Sequence, residues 1–292
     1  MKRKAFTLIE LLVVISIIAM LMAIMMPALG RARNMAATKV CGSGMRQIAI
    51  AATAYASDNN DECVRSITMY NTEDKSGNSD YNSSWVTLPI TSGTSKPYTM
   101  GSWVNNLPEA TEDERIEGIR NGTLFSYYGD ASVLHCPKDR RGSNGSTGGY
   151  RTYSISQAFN GEFWNTDFGP VAKRMSQIRR PSDRLFIIEE ADARGWNYNS
   201  WAMNVNYKGF TDPFVYWHDG GFSITFADSH TEVYKLQEKE TRDWVEQCAN
   251  DRSGQMVYSP AFTATGDNAN KDLVQMRKWY DNFNYFNNSN GW

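Results

Sequence analysis

Between Phe6 and Met26 the chain runs for 21 residues in which only Thr7, Glu10 and Ser16 interrupt an apolar stretch. At about 1.5 Å of rise per helical residue such a segment measures roughly 30 Å, the thickness of a bilayer core. Lys2, Arg3 and Lys4 precede it directly. A basic flank stays on the cytoplasmic side, so the sequence predicts a cytoplasmic N-terminus with everything after Pro27 translocated.

A cleaved secretory signal or a plain anchor would also begin this way. The apolar core is longer than the 7 to 15 residues of an ordinary signal peptide. Glu10 argues against a plain anchor, because an acid inside an apolar helix costs up to about 2.5–3.5 kcal/mol and gains nothing for a tether. Such an acid implies a partner.

The run Lys4-Ala5-Phe6-Thr7-Leu8-Ile9-Glu10-Leu11-Leu12-Val13-Val14-Ile15 resembles the class III signal of type IV pilins and type II secretion pseudopilins. The resemblance implies a leader of residues 1–5, cut between Ala5 and Phe6 by a prepilin peptidase that then methylates the new amine. Where the family usually has Gly before the cut, this chain has Ala5. It also implies that Glu10 pairs with the Phe6 amine of a neighbouring subunit and so sets filament register. A buried ion pair has that logic, since truncating one partner leaves the other unpaired at about 3–5 kcal/mol. The implied partners are the peptidase, other copies of the chain, other pseudopilins and the inner-membrane assembly platform.

Beyond Pro27 the positions Leu29, Ala32, Ala36, Val40, Ile48, Ala52 and Tyr55 fall largely three or four apart, predicting one helix from Thr7 to about Ser57. Residues 6–26 form its membrane or filament-core half and 27–57 its stalk. Asp58-Asn59-Asn60-Asp61 supplies the stop. Pro27 predicts a kink or local unwinding, and Gly42 and Gly44 a loose stretch from Cys41 to Met45. Cys41, Arg46-Gln47 and Ala54-Tyr55-Ala56-Ser57-Asp58-Asn59 are similar to the helix of pseudopilin-like families of planctomycete-type bacteria.

Residues 58–292 read as an extracytoplasmic globular domain. A helix is predicted over Glu112–Arg120, and strands over Arg151–Ser156, Arg184–Glu189, Phe222–Ala227 and His230–Lys235, the last two joined at Asp228-Ser229. Alternation puts Phe222, Ile224 and Phe226 on one face. The expected fold class is α+β, with a long N-terminal helix on an antiparallel sheet decorated by loops. His218 followed by Asp228, Cys136-Pro137-Lys138-Asp139 and Arg180-Pro181-Ser182-Asp183 resemble signatures of the same pilin-like families. The segment 236–292 carries no motif.

His218, Asp228 and His230 form a candidate zinc set, weighed against a purely structural hydrogen bond between His218 and Asp228, which is the simpler reading. Glu189, Glu190, Asp192 and Asp212 offer oxygen ligands for calcium, without the dense spacing of a calcium loop. Surface acids are the simpler reading there, and no cofactor is otherwise expected. Disulfide connectivity among Cys41, Cys63, Cys136 and Cys248 is open, with Cys41 expected to stay unpaired.

Thirty basic against 32 acidic residues give a net charge of −2, which attracts no nucleic acid. Three histidines and the absence of G-x-S-x-G or H-E-x-x-H leave no catalytic signature. The sequence therefore predicts a filament subunit and not an enzyme. The rival is a membrane-tethered module that displays aromatics such as Trp164, Trp196, Trp201 and Trp217 to carbohydrate without polymerising.

Overall fold

The computed structural model describes residues 7–68, 84–93, 96–97, 110–139, 150–161, 171–190, 200–204, 209–215, 217–218, 220–250, 259–262 and 269–280. Helix α1 spans Leu8–Asp58 without a break, roughly 75 Å at helical rise. Thr7 caps it: its hydroxyl accepts from the Glu10 amide while the Glu10 carboxylate takes the Thr7 amide, a reciprocal capping box. At the other end Asn60 and Asp61 adopt φ of 55° and 66°, the left-handed conformation that Asn and Asp tolerate best among non-glycine residues.

Of the kink or local unwinding expected at Pro27, the unwinding does not occur, and the helix runs through it. The looseness expected at Gly42 and Gly44 is also absent, for a packing reason. A Cβ on Gly44 would lie 2.7 Å from the Val133 carbonyl oxygen, and one on Gly42 would lie 3.3 Å from the Thr231 methyl. These glycines let α1 press against its neighbours, and tertiary contact outweighs helix propensity.

From Leu8 to Val40 no residue of α1 is buried. From Cys41 onward Cys41, Gly44, Met45, Ile48, Ala49, Ala51, Ala52, Tyr55 and Ala56 are all covered. Spacings of three and four give the core-facing stripe of an amphipathic helix.

That stripe packs on an antiparallel sheet of β3 (Tyr153–Ile155), β4 (Leu185–Glu189), β5 (Gly221–Phe226) and β6 (Thr231–Lys235), in that spatial order. Earlier elements are a short ribbon of β1 (Ile90–Thr91) and β2 (Lys96–Pro97), then α2 (Glu112–Arg120) and α3 (Phe125–Tyr128). A 3₁₀ turn at Ala131–Leu134 follows and leads into Cys136. Cys41, Met45, Ile48, Tyr153, Ile155, Phe186 and Ile187 share the core between α1 and the sheet.

The opposite face carries a second core. Leu185, Ile188, Phe222, Ile224 and Phe226 meet Trp244, Val245 and Cys248 of α4 (Lys239–Asn250) and Leu273, Met276 and Tyr280 of α5 (Lys271–Tyr280). The motif-free tail thus closes the far side of the sheet, and helices cover both faces. The class is α+β.

One irregularity in β4 matters for function. Its pairing with β5 slips between Leu185 and Ile187, so Phe186 and Ile187 both enter the α1-side core while Leu185 and Ile188 face the other. A bulge of this kind reverses the in–out phase of the residues after it. Without it, Glu189 would share a face with Leu185. With it, Glu189 turns toward α1.

Candidate functional site

Two places answer to the residues singled out in the sequence. At the N-terminus, Ala5 and Phe6 lie outside the described residues. Glu10 stands one turn into α1, and its Oε2 accepts from both the amide and the hydroxyl of Thr7 at 2.8 Å. The carboxylate therefore points toward the start of the helix. Around it Leu8, Ile9, Leu11 and Leu12 are exposed, and the first half of α1 is long and apolar enough to cross a membrane.

The second place is inside the globular part. Cys41 from α1, Cys136 from the turn after Leu134, Glu189 from the end of β4 and His218 just before β5 bring one ligand atom each to within 4.8 Å of one another. All four are buried, at 0 to 1% exposure. The sulfurs of Cys41 and Cys136 are 2.8 Å apart. His218 Nε2 lies 2.7 Å from Glu189 Oε1 and 3.5 Å from the Cys136 sulfur.

Three of the four are held from behind. A tight turn places His218, whose amide and carbonyl both pair with Gly221 across Gly220 at φ 80°. The Thr38 hydroxyl donates to the Asn34 carbonyl and also lies 3.1 Å from His218 Nδ1. Its one proton being committed, Thr38 accepts from Nδ1–H, which leaves Nε2 as the atom facing the cluster. The Ser223 amide donates to Glu189 Oε2 at 2.9 Å, and the Lys138 amide approaches the Cys136 sulfur at 3.4 Å. Thr152 accepts from the Cys136 amide and donates to Asp139.

The electrostatics follow from this crowding in a dry site. Burial pushes the Glu189 carboxyl up to about 7, against the His218 hydrogen bond that favours its charged form. Burial alone would lower His218, but the thiolate of Cys41 and the carboxylate of Glu189 together outweigh it and raise the imidazole to about 10. The contact with Cys136 makes the Cys41 proton easier to lose, and the same contact makes the remaining one on Cys136 harder to lose. The set is thus two sulfurs, one nitrogen and one carboxylate oxygen, closed to water. Such a set is suited to holding something rather than to meeting a diffusing substrate.

The set of His218, Asp228 and His230 does not assemble, and the hydrogen bond expected between His218 and Asp228 is replaced. His218 lies at the start of β5 and Asp228 beyond its end, roughly 20 Å of extended chain away. Asp228 instead bonds its neighbour, accepting from the His230 amide at 3.1 Å and meeting Nδ1 of the same residue at 2.5 Å. Ser229 takes φ 70° in that turn.

Of the calcium candidates, Glu189 is engaged by His218 and Ser223, and Asp212 accepts from the Ala202 amide at 2.6 Å. Glu190 is buried, and Asp192 lies outside the described residues. Trp201 is wholly buried and Trp217 packs against the α1-side core; Trp164 and Trp196 lie outside the described residues. Sequence reasoning had marked Cys41, Cys136, Glu189 and His218 one by one without joining them. Their convergence depends on the β4 bulge and on how α1 docks, neither of which leaves a local pattern.

Residues 1–26 match the family model described as the prokaryotic N-terminal methylation motif. That match supports a type IV pilin-like N-terminus. No curated protein and no solved structure matches the chain.

Proposed function

We propose that this chain is a pilin-like structural subunit, processed at its N-terminus and assembled into a type II secretion or type IV pilus-like filament. The observation that carries the reading is the methylation-motif match over residues 1–26, which includes Glu10 at the uncovered end of α1. The leader 1–5 is removed by a prepilin peptidase, and Phe6 becomes a methylated amine. The subunit waits in the inner membrane with its globular part in the periplasm, then leaves the bilayer as its helix packs with those of neighbours.

Two features support this sequence of events. The apolar surface from Leu8 to Leu29 is exposed along its length, and so large a bare patch needs lipid or other helices around it. Among the described residues Glu10 is bonded by its own cap, so its carboxylate is already aimed toward the end of the helix where the amine of a neighbour would arrive. Pairing there offsets the cost of burying either charge alone.

The test is intact mass spectrometry of protein recovered from its native host, together with sheared surface fractions from wild type and Glu10→Ala. The expected result is a mature chain beginning at methylated Phe6, with fibres lost in the variant. An intact Met1, or cleavage near Ala28, with surface display unchanged in Glu10→Ala would replace the filament by a tethered module.

A further inference from the structure

We propose that Cys41, Cys136, Glu189 and His218 are the four ligands of a structural zinc ion that fastens helix α1 to the sheet. The donor chemistry suits zinc. Two thiolates, one imidazole and one carboxylate form a tetrahedral set, and thiolate and imidazole together favour zinc over the oxygen-seeking calcium and magnesium. Bonds of about 2.3 Å to sulfur and 2.0–2.2 Å to nitrogen and oxygen put neighbouring ligand atoms some 3.3–3.8 Å apart. The four atoms already lie within 4.8 Å of one another, so the ion requires side-chain adjustment and no change of fold.

The surroundings fit a metal better than they fit four mutually buried protein groups. The Thr38 hydroxyl accepts from His218 Nδ1–H, which leaves Nε2 as the ring atom turned to Cys136 and Glu189, as the outer shell of a metal-bound histidine does. The Lys138 amide donates to the Cys136 sulfur, a hydrogen bond that a metal-bound thiolate would also accept. Without a metal, the buried carboxylate and thiolate have only the His218 ring beside them to offset their charge. A dication offsets both. With every ligand from the protein and none exposed, the site has no open position for a substrate, which makes it a structural and not a catalytic centre.

The ligands lie on α1, the turn after Leu134, β4 and the start of β5. One ion would tie together segments separated by most of the chain. Binding in the folded state alone then stabilises that state. A disulfide between Cys41 and Cys136 would use up both sulfurs, but it would give no role to the carboxylate and imidazole converging on them.

The experiment uses the full-length chain in detergent. Metal content is measured by plasma mass spectrometry on protein purified without chelator. The reduced, metal-stripped chain is then titrated with Co²⁺, following the sulfur-to-cobalt charge-transfer band and the d–d bands of tetrahedral cobalt. Zinc in the purified protein and saturation at one cobalt per chain are expected. Cys41→Ser and Cys136→Ser should each remove charge-transfer intensity. Thr38→Val, half-buried and not a ligand, should leave the far-ultraviolet circular dichroism unchanged while weakening cobalt binding by about 10- to 100-fold. A folded, reduced wild-type chain that develops no thiolate–cobalt band, or a band whose intensity is unchanged in Cys41→Ser or Cys136→Ser, overturns the site. Recovery of a Cys41–Cys136 disulfide peptide from native protein overturns it in favour of a covalent link.

Discussion

His218 Nε2 lies 2.7 Å from Glu189 Oε1, with both side chains fully shielded from solvent. One residue precedes β5 and the other ends β4, so the contact reports the register of the two strands that form the middle of the sheet. It holds only because the β4 slip turns Glu189 toward α1. Sheet geometry and the chemistry of the buried cluster are therefore one problem.

Gly44 should be intolerant of any side chain. Gly44→Ala places a Cβ 2.7 Å from the Val133 backbone oxygen, and overpacking of this kind costs about 1–3 kcal/mol. Gly30→Ala, with nothing within 4 Å, is the control. Chemical denaturation followed by near-ultraviolet circular dichroism should show the globular transition shifted down for the first and unmoved for the second.

Asp272 should anchor the tail. Its carboxylate accepts from the Tyr234 hydroxyl at 2.9 Å and from the amides of Gln237 and Glu238 at 2.9 and 3.0 Å, tying α5 to β6 and to the start of α4. Asp272→Ala leaves those donors without it, at about 1–3 kcal/mol for each one that water does not reach. Limited proteolysis should cut between 236 and 292 sooner than in wild type. Equal cleavage rates would show that the tail is held by its apolar contacts alone.

Cys63 should resist thiol reagents until the protein unfolds. Burial, with Asp61 and Glu62 nearby, pushes its thiol up to about 12, whereas an unfolded cysteine ionises near 8.5. Between those values the folded state keeps a proton that the unfolded state has lost, so stability falls as pH rises through that window. Iodoacetamide mapping by mass spectrometry should find Cys63 unmodified in the native protein at mildly alkaline pH. Cys63→Ala should flatten the alkaline decline in denaturation midpoint, and an unchanged slope would refute the assignment.

Much of the frame was legible. α1 announced itself because its apolar residues repeat at helical spacing and its cap and stop use Thr7 and Asn59-Asn60. The pair β5 and β6 was visible because Phe222, Ile224 and Phe226 alternate. α2 begins and ends at Glu112 and Arg120 as expected, where Thr111 and Glu114 make a capping box. What stayed hidden depends on distant contacts. The faces of α4 and α5, with Trp244, Val245 and Cys248 and with Leu273, Met276 and Tyr280, are short stripes that make sense only once a sheet face lies beneath them. The spacing of His218 and Asp228 suggests a pair that meets at a hairpin, whereas the six-residue strand β5 separates them in space. The bulge that aims Glu189 has no signature in Leu-Phe-Ile-Ile-Glu.

Along α1, Asn34, Thr38 and Cys41 fall on one stripe, and they meet Lys138, His218 and Cys136 respectively. This is the level at which the bare half of the helix gives way to the covered half. A pull along the helix axis crosses all three contacts sideways and at once, so they share the load as a clamp instead of parting one after another like a zipper. Under tension along the helix, this neck would then give way by sliding as a unit, and the force needed would rise with the number of contacts on that stripe.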